Sequence, residues 1–204
     1  MIEIKKLSYS RPSKTIFEDF RAEIPLKCAT LLTGANGSGK TTLVNLIGGV
    51  LAPTSGSITM GGLDITSLSA REQSQLRSIA PQRRIFDLAF TVSQLLDIIP
   101  VARRATHYTD VLDALEIGEI AQLKVTELSL GQQQRASVAL ALIQDSSFYL
   151  LDEPLSAQDA VHQERALDLI ITLAQERGIL VVAHNSDSFA ARFGRVLPVR
   201  TVVR

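Results

Sequence analysis

The nine residues GANGSGKTT, positions 34–42, constrain this chain more than any other stretch. Three glycines, a lysine and two threonines follow the apolar run CATLL and open a segment rich in helix formers. So much backbone freedom costs folding entropy and needs a physical reason. Gly34 to Thr41 fit the spacing G-x-x-x-x-G-K-[ST], with a strand expected before and a helix after. In that setting glycines let successive N–H groups turn inward around a polyphosphate, and the helix points its positive dipole end at the anion. The loop Gly34, Ala35, Asn36, Gly37, Ser38, Gly39, Lys40, Thr41 and Thr42 is therefore read as a phosphate cradle. Lys40 would neutralise the β and γ phosphates, and the Thr41 hydroxyl would ligate Mg²⁺.

FYLLDEP, residues 148–154, supplies a second half. Four apolar residues predict a buried strand, with Asp152 and Glu153 at its C-terminal end, where open α/β sheets bind ligands. Asp152 would hold Mg²⁺, and Glu153 would polarise an attacking water as general base. Alone, these residues could be solvated acids at a strand end; with the phosphate loop upstream they say nucleoside triphosphate and Mg²⁺.

The rest of the chain fits an α/β architecture. Strands are expected through Met1–Leu32, then a helix over Lys40–Leu51 ended by Pro53 and Gly56. SITM, GGLDIT and SIAPQ read as short strands and turns around a small helix near Ser69–Leu76. Residues 83–127 lack strand signals and predict short helices, one from Thr91 to before Pro100 and another over Tyr108–Leu115. A helix over 130–144, the strand FYLLDE at 148–153, a helix over 159–176 and a strand over 179–183 complete the pattern. Strands alternating with helices favour a mostly parallel sheet covered on both faces.

Composition narrows the partners. Lys plus Arg and Asp plus Glu both number 21, so charge gives no reason to expect nucleic acid. Cys28 is the only cysteine, which excludes an internal disulfide and favours a reducing compartment. The N-terminus lacks the apolar stretch of a secretory signal, and no apolar run approaches the roughly 20 residues that cross a bilayer.

LSLGQQQR, residues 128–135, begins a helix shortly before the Asp–Glu strand. Here the chain resembles the ATP-binding cassette (ABC) family, whose signature is LSGGQ, and the family's motifs occur in order along nearly the whole chain. The resemblance implies a P-loop NTPase fold with a parallel core, an antiparallel β subdomain and an inserted helical subdomain. It also implies one nucleotide-binding domain over 1–204, its core at about 1–82 and 145–204 and its helical part at about 83–144. Tyr9 matches the aromatic under the adenine, and Gln82 the glutamine that joins the subdomains and reaches nucleotide and Mg²⁺. Ser156 and Asp159 lie in the loop after the catalytic strand, and His184, in VVAHN, matches the switch histidine. Asp159 also suits a helix cap, Tyr9 a half-buried strand position, and Gln82 a surface turn.

Family mechanism is head to tail: two chains sandwich two Mg-ATP, and each lends Ser129, Gly131 and Gln132 to the other's nucleotide. Leu130 departs from the family's glycine and Gln158 from its usual leucine. Leu130 is expected to pack sideways on the helical part and to weaken ATP binding or slow turnover. Single cassettes of this family mostly serve transmembrane permease subunits from the cytoplasmic face of the membrane. The partners expected are a second cassette, identical or related, and such a permease. Ile85, Phe86, Leu88 and Phe90 could line a groove for the permease or build the insertion's own core. LSAREQSQLRSIAPQ followed by FTV is similar to ATPases of iron-siderophore and cobalamin uptake, whereas the chain's brevity resembles small exporter or cytochrome-maturation ATPases. Its end soon after His184 is expected to leave no room for a C-terminal regulatory domain. Uptake of a small nutrient is the preferred reading. The alternatives are export, a non-transport cassette such as an iron–sulfur assembly ATPase, a P-loop kinase, or a cassette that only binds.

Overall fold

The computed structural model describes residues 1–12, 14–82, 90–183 and 189–200. Two sheets form. The first is antiparallel, ordered β2 (Lys14–Ile24), β1 (Ile2–Arg11), β4 (Ser55–Met60) and β5 (Leu63–Asp64). The second is parallel, ordered β6 (Arg77–Ala80), β7 (Phe148–Asp152), β8 (Gly178–Val182), β3 (Cys28–Thr33) and β9 (Arg195–Pro198). The expected parallel core with an antiparallel β part and a helical insertion is the architecture found.

β7 and β8 are buried along their full length, as a sheet covered on both faces requires. Side chains alternate across a strand, so each strand feeds two cores. Leu31, Tyr149, Leu151, Ile179 and Val181 face one core, shared with α3 (Val92–Asp97), α4 (Tyr108–Ala114), α5 (Leu130–Leu142) and α6 (Ala160–Leu173). Leu32, Phe148, Leu150, Leu180 and Val182 face the other, shared with α1 (Lys40–Ile47) and the antiparallel sheet.

Local chemistry sets the helix boundaries. Thr91 with Gln94 and Ser129 with Gln132 form reciprocal capping boxes, and so do Ser69 and Glu72 ahead of α2 (Ala70–Leu76). α1 ends at Ile47, earlier than the apolar spacing predicts. Gly48 caps it and Gly49 adopts φ 68°, a turn that reverses the chain well before Pro53.

Polar contacts fasten the helices to the sheet. Tyr149, fully buried, donates its hydroxyl to the Gln144 carbonyl at 2.8 Å, and the His107 ring lies 3.2 Å from that oxygen. His107 Nε2 in turn donates to the Leu142 carbonyl at 2.9 Å. Burial pushes the Tyr149 phenol up to about 12 and lowers the His107 imidazole. Glu116 joins α5 to α6 by accepting from Arg135 (3.2 Å), His162 (2.9 Å) and Arg165. Among the described residues no helix is long and apolar enough to cross a membrane.

The His107 shift has a stability consequence with a definite sign. Burial and Arg177 disfavour the imidazolium, while the Leu142 carbonyl, Asp110 and Glu176 favour it less strongly. The folded chain thus binds a proton less readily than the unfolded one, whose histidine titrates near about 6.5. The contribution is complete above that value and is lost as pH falls towards the lower folded one. Thermal melting across a pH series should show a midpoint that falls below neutrality, with a shallower fall in His107→Gln.

Candidate functional site

The phosphate loop lies between β3 and α1, and its backbone is one only glycine tolerates at two points. Gly34 has φ 149°, and a Cβ there would lie 2.4 Å from the Val199 carbonyl. Gly39 has φ 100°, and a Cβ there would meet Ile16 at 2.7 Å. Gly39 also caps α1 without a side-chain hydrogen bond, and the first turn carries no acid, so the positive helix end faces the loop. Lys40 is buried and donates to the Gly34 and Ala35 carbonyls at 2.7 and 3.1 Å. The Ser38 N–H closes the turn onto the Ala35 carbonyl at 3.1 Å, and its buried Oγ has no hydrogen-bond partner among the described residues.

A pocket of about 300 Å³ opens here. Asn36, Gly37, Gly39, Lys40, Thr41 and Thr42 line it from the loop, Gln82 from beyond β6 and Glu153 from beyond β7. Parallel register explains the meeting: Leu32 of β3 and Asp152 of β7 both pair with Val182 of β8. The expected phosphate-binding and acidic residues therefore share one sheet edge.

Arg11 and Ile16, absent from the sequence-derived set, also line the pocket, and Arg11 donates to the Thr42 hydroxyl at 3.4 Å. Tyr9 does not line it; that side chain is half-buried on β1 and packs on the core under the antiparallel sheet. The β1–β2 pairing is irregular between Tyr9 and Ser10, and no local signal in the sequence marked Arg11.

Asp152, at the end of β7, is 2% exposed. Glu153 adopts φ 56° and is pinned by its main chain: its N–H donates to the Val182 carbonyl at 2.9 Å. Its carbonyl accepts from Gln134 Nε2 at 2.7 Å and from Ser156 Oγ at 2.9 Å. A carboxylate on so constrained a backbone can orient a water at the pocket wall.

Signature residues lie elsewhere. Ser129 caps α5, its Oγ accepting from the Gln132 N–H at 3.3 Å while the Gln132 amide oxygen accepts from the Ser129 N–H at 2.9 Å. The Ser129 hydroxyl hydrogen remains available to a ligand. Gly131 has no room for a side chain, since a Cβ would lie 2.5 Å from the Ala157 carbonyl. Leu130 occupies the first helical position and is 65% exposed, not packed on the helical part as expected, because that position directs its side chain to solvent. None of these residues lines the phosphate pocket. Asp159 caps α6 by accepting from the His162 N–H at 3.0 Å, and that donor followed by the His162 ring holds its carboxyl below the usual range. His184, Ile85, Phe86 and Leu88 lie outside the described residues, and Phe90 is 39% exposed.

A family profile described as "ABC transporter" matches residues 17–156. The chain belongs to the ABC transporter family. It is an ATP hydrolase of that family. Among curated relatives, the hemin import ATP-binding protein of Bordetella pertussis is 30% identical, covering 93% of this chain and 79% of that protein. The petrobactin import ATP-binding protein of Bacillus anthracis is 32% identical, covering 90% and 72%. The cytochrome c biogenesis ATP-binding export protein of Wolbachia pipientis is 30% identical, covering 92% and 91%. In fold, the chain is similar to the dimeric bacterial ABC transporter cassette MJ0796, with TM-score 0.82 at 24% identity over 98% of this chain and 94% of that one.

Arg11 adds a second cation to the pocket beside Lys40. Arg11→Ala should weaken ATP binding by about 3–10-fold, the range of one or two solvent-exposed charge-assisted hydrogen bonds. Titration with a fluorescent ATP analogue would read it, and an unchanged Kd would exclude Arg11 from the nucleotide.

Proposed function

We propose that this ABC ATPase is the energy-coupling subunit of a transporter that takes up a small nutrient or metal chelate, working as a head-to-tail pair. One observation carries the reading. The pocket gathers Lys40, Thr41, Gln82 and Glu153 but none of Ser129, Gly131 and Gln132, so a second chain's signature completes the site. The import relatives named above support the direction, and the export relative keeps the opposite one as the second reading.

In the paired state Lys40 and the loop N–H groups hold the β and γ phosphates of ATP, while Arg11 extends the positive wall. Thr41, Gln82 and Asp152 offer hard oxygen donors of hydroxyl, amide and carboxylate type, the set that Mg²⁺ takes. When bound there Mg²⁺ would neutralise charge on the phosphate oxygens. Glu153 accepts a proton from the attacking water, whose oxygen bonds to the γ-phosphorus as the bond to the β-bridging oxygen breaks. ADP and phosphate result. The partner's Ser129 hydroxyl and Gly131 N–H meet the γ-phosphate, so its departure removes what bridges the two chains. His184 is assigned the supporting contact to that phosphate. Ser156 and Asp159 are assigned to the partner's side, and Tyr9, which does not line the phosphate pocket, is assigned to the adenine.

The chain acts as one nucleotide-binding domain, with residues of about 83–144 forming the lobe that meets a transmembrane permease. It sits at the cytoplasmic membrane face through that permease.

Glu153→Gln should bind ATP normally, hydrolyse it at least about 100-fold more slowly, a loss in the general-base range, and accumulate as closed dimers on size-exclusion chromatography with ATP. Near-normal turnover would sink the general-base assignment. Because Leu130 is exposed beside Ser129 and Gly131, Leu130→Gly should change the KM for ATP or kcat by about 2–10-fold, the scale of one interfacial side chain; identical steady-state kinetics would show the leucine to be neutral.

A further inference from the structure

Glu153 and Ala157 are the two residues of the loop after β7 with positive φ, 56° and 57°. Neither is glycine, so the surroundings must hold both; within the loop Ser156 donates to the Glu153 carbonyl through its N–H (3.2 Å) and Oγ (2.9 Å), and α5 supplies the rest. Both carbonyls face α5: Gln134 Nε2 donates to the Glu153 carbonyl at 2.7 Å, and Gly131 lies so close to the Ala157 carbonyl that a Cβ would come within 2.5 Å. Gly131 and Gln134 are three residues apart and share one face of the helix. That face is the template on which the loop is moulded. Gln134 is itself 6% exposed, and a buried amide is costly unless it is hydrogen-bonded. Its amide N–H has that use in the hydrogen bond to the Glu153 carbonyl.

We propose that Gln134 is a positioning residue for hydrolysis: it holds the Glu153 main chain so that the carboxylate meets the attacking water, and it makes that placement depend on where α5 lies. The N-terminus of the same helix carries Ser129 and Gly131, the groups that meet the opposite nucleotide in the pair. A displacement of α5 at that end would reach the chain's own general base through one hydrogen bond and one backbone contact. Engagement of one nucleotide is thereby read at the other. The inference rests on Glu153 being the general base.

Gln134→Met tests it in the full chain, because methionine keeps the buried volume and removes the donor. Turnover, ATP affinity and thermal stability are measured together, with rates expressed per ATP-binding site. The expected result is a kcat on the order of tenfold lower, with the Kd for ATP within twofold, because a small misplacement of a reacting group costs rate before it costs binding. In a Glu153→Gln background the same substitution should add less than twofold, since two residues acting through one group are not additive. If Gln134→Met is too unstable to purify, Gln134→Asn, which withdraws the amide by one methylene, is expected to give the same pattern. Unchanged kcat overturns the proposal. So does a loss of rate matched by a loss of ATP affinity or of folded protein, or one that persists undiminished in the Glu153→Gln background. Should Glu153→Gln itself turn over normally, the general-base assignment falls and takes this inference with it; an inactive Glu153→Gln beside a normal Gln134→Met removes this inference alone.

Discussion

Everything at the nucleotide pocket depends on the register of three parallel strands. β8 lies between β3 and β7, and its Val182 pairs with Leu32 on one side and Asp152 on the other. The strands therefore end level, and the anion loop after β3 and the two acids after β7 emerge side by side. Hydrophobic burial on both faces fixes that register, because a slip of one residue would exchange Tyr149 and Leu151 with Phe148 and Leu150 between two different cores. Catalytic geometry here is a by-product of apolar patterning.

Beyond the strand ends, hydrogen bonds and close backbone contacts take over from burial. Lys40 folds back on the carbonyls of its own loop, Glu153 is tied to Val182, Ser156 and Gln134, and Gly131 abuts Ala157. These contacts link an α/β core to a helix whose N-terminal residues do not line the pocket. The separation between the signature residues and the phosphate loop of the same chain is what the proposed head-to-tail pair would bridge.

Much of this was legible in the residues. The glycine spacing at 34–41 announces a loop that later needs φ 149° at Gly34 and 100° at Gly39. The apolar run ending in Asp152 and Glu153 becomes a fully buried strand, and the helices expected from near Thr91 and from Leu130 start where they were read. Local signals erred where tertiary contacts decide. The apolar residues past Ile47 look helical, but Gly48 and Gly49 end the helix. Leu130 looks like a packing residue, but the first helical position turns it outward. Arg11 was missed because no local pattern marks it, and the hydrogen bond from Gln134 to Glu153 spans 19 positions that no local pattern connects. The ion-pair cluster on Glu116, which draws on two separate helices, was equally invisible.

The alternation along β7 also bears on which changes the fold can absorb. Phe148 and Leu150 belong to the compartment under the phosphate loop, while Tyr149 and Leu151 belong to the one beneath the helices. The sheet is thus a partition wall with independent furnishing on either side. Helices on the outer side can be repacked without touching the inner compartment, and the chamber that burns nucleotide keeps its dimensions as long as the wall itself stays straight.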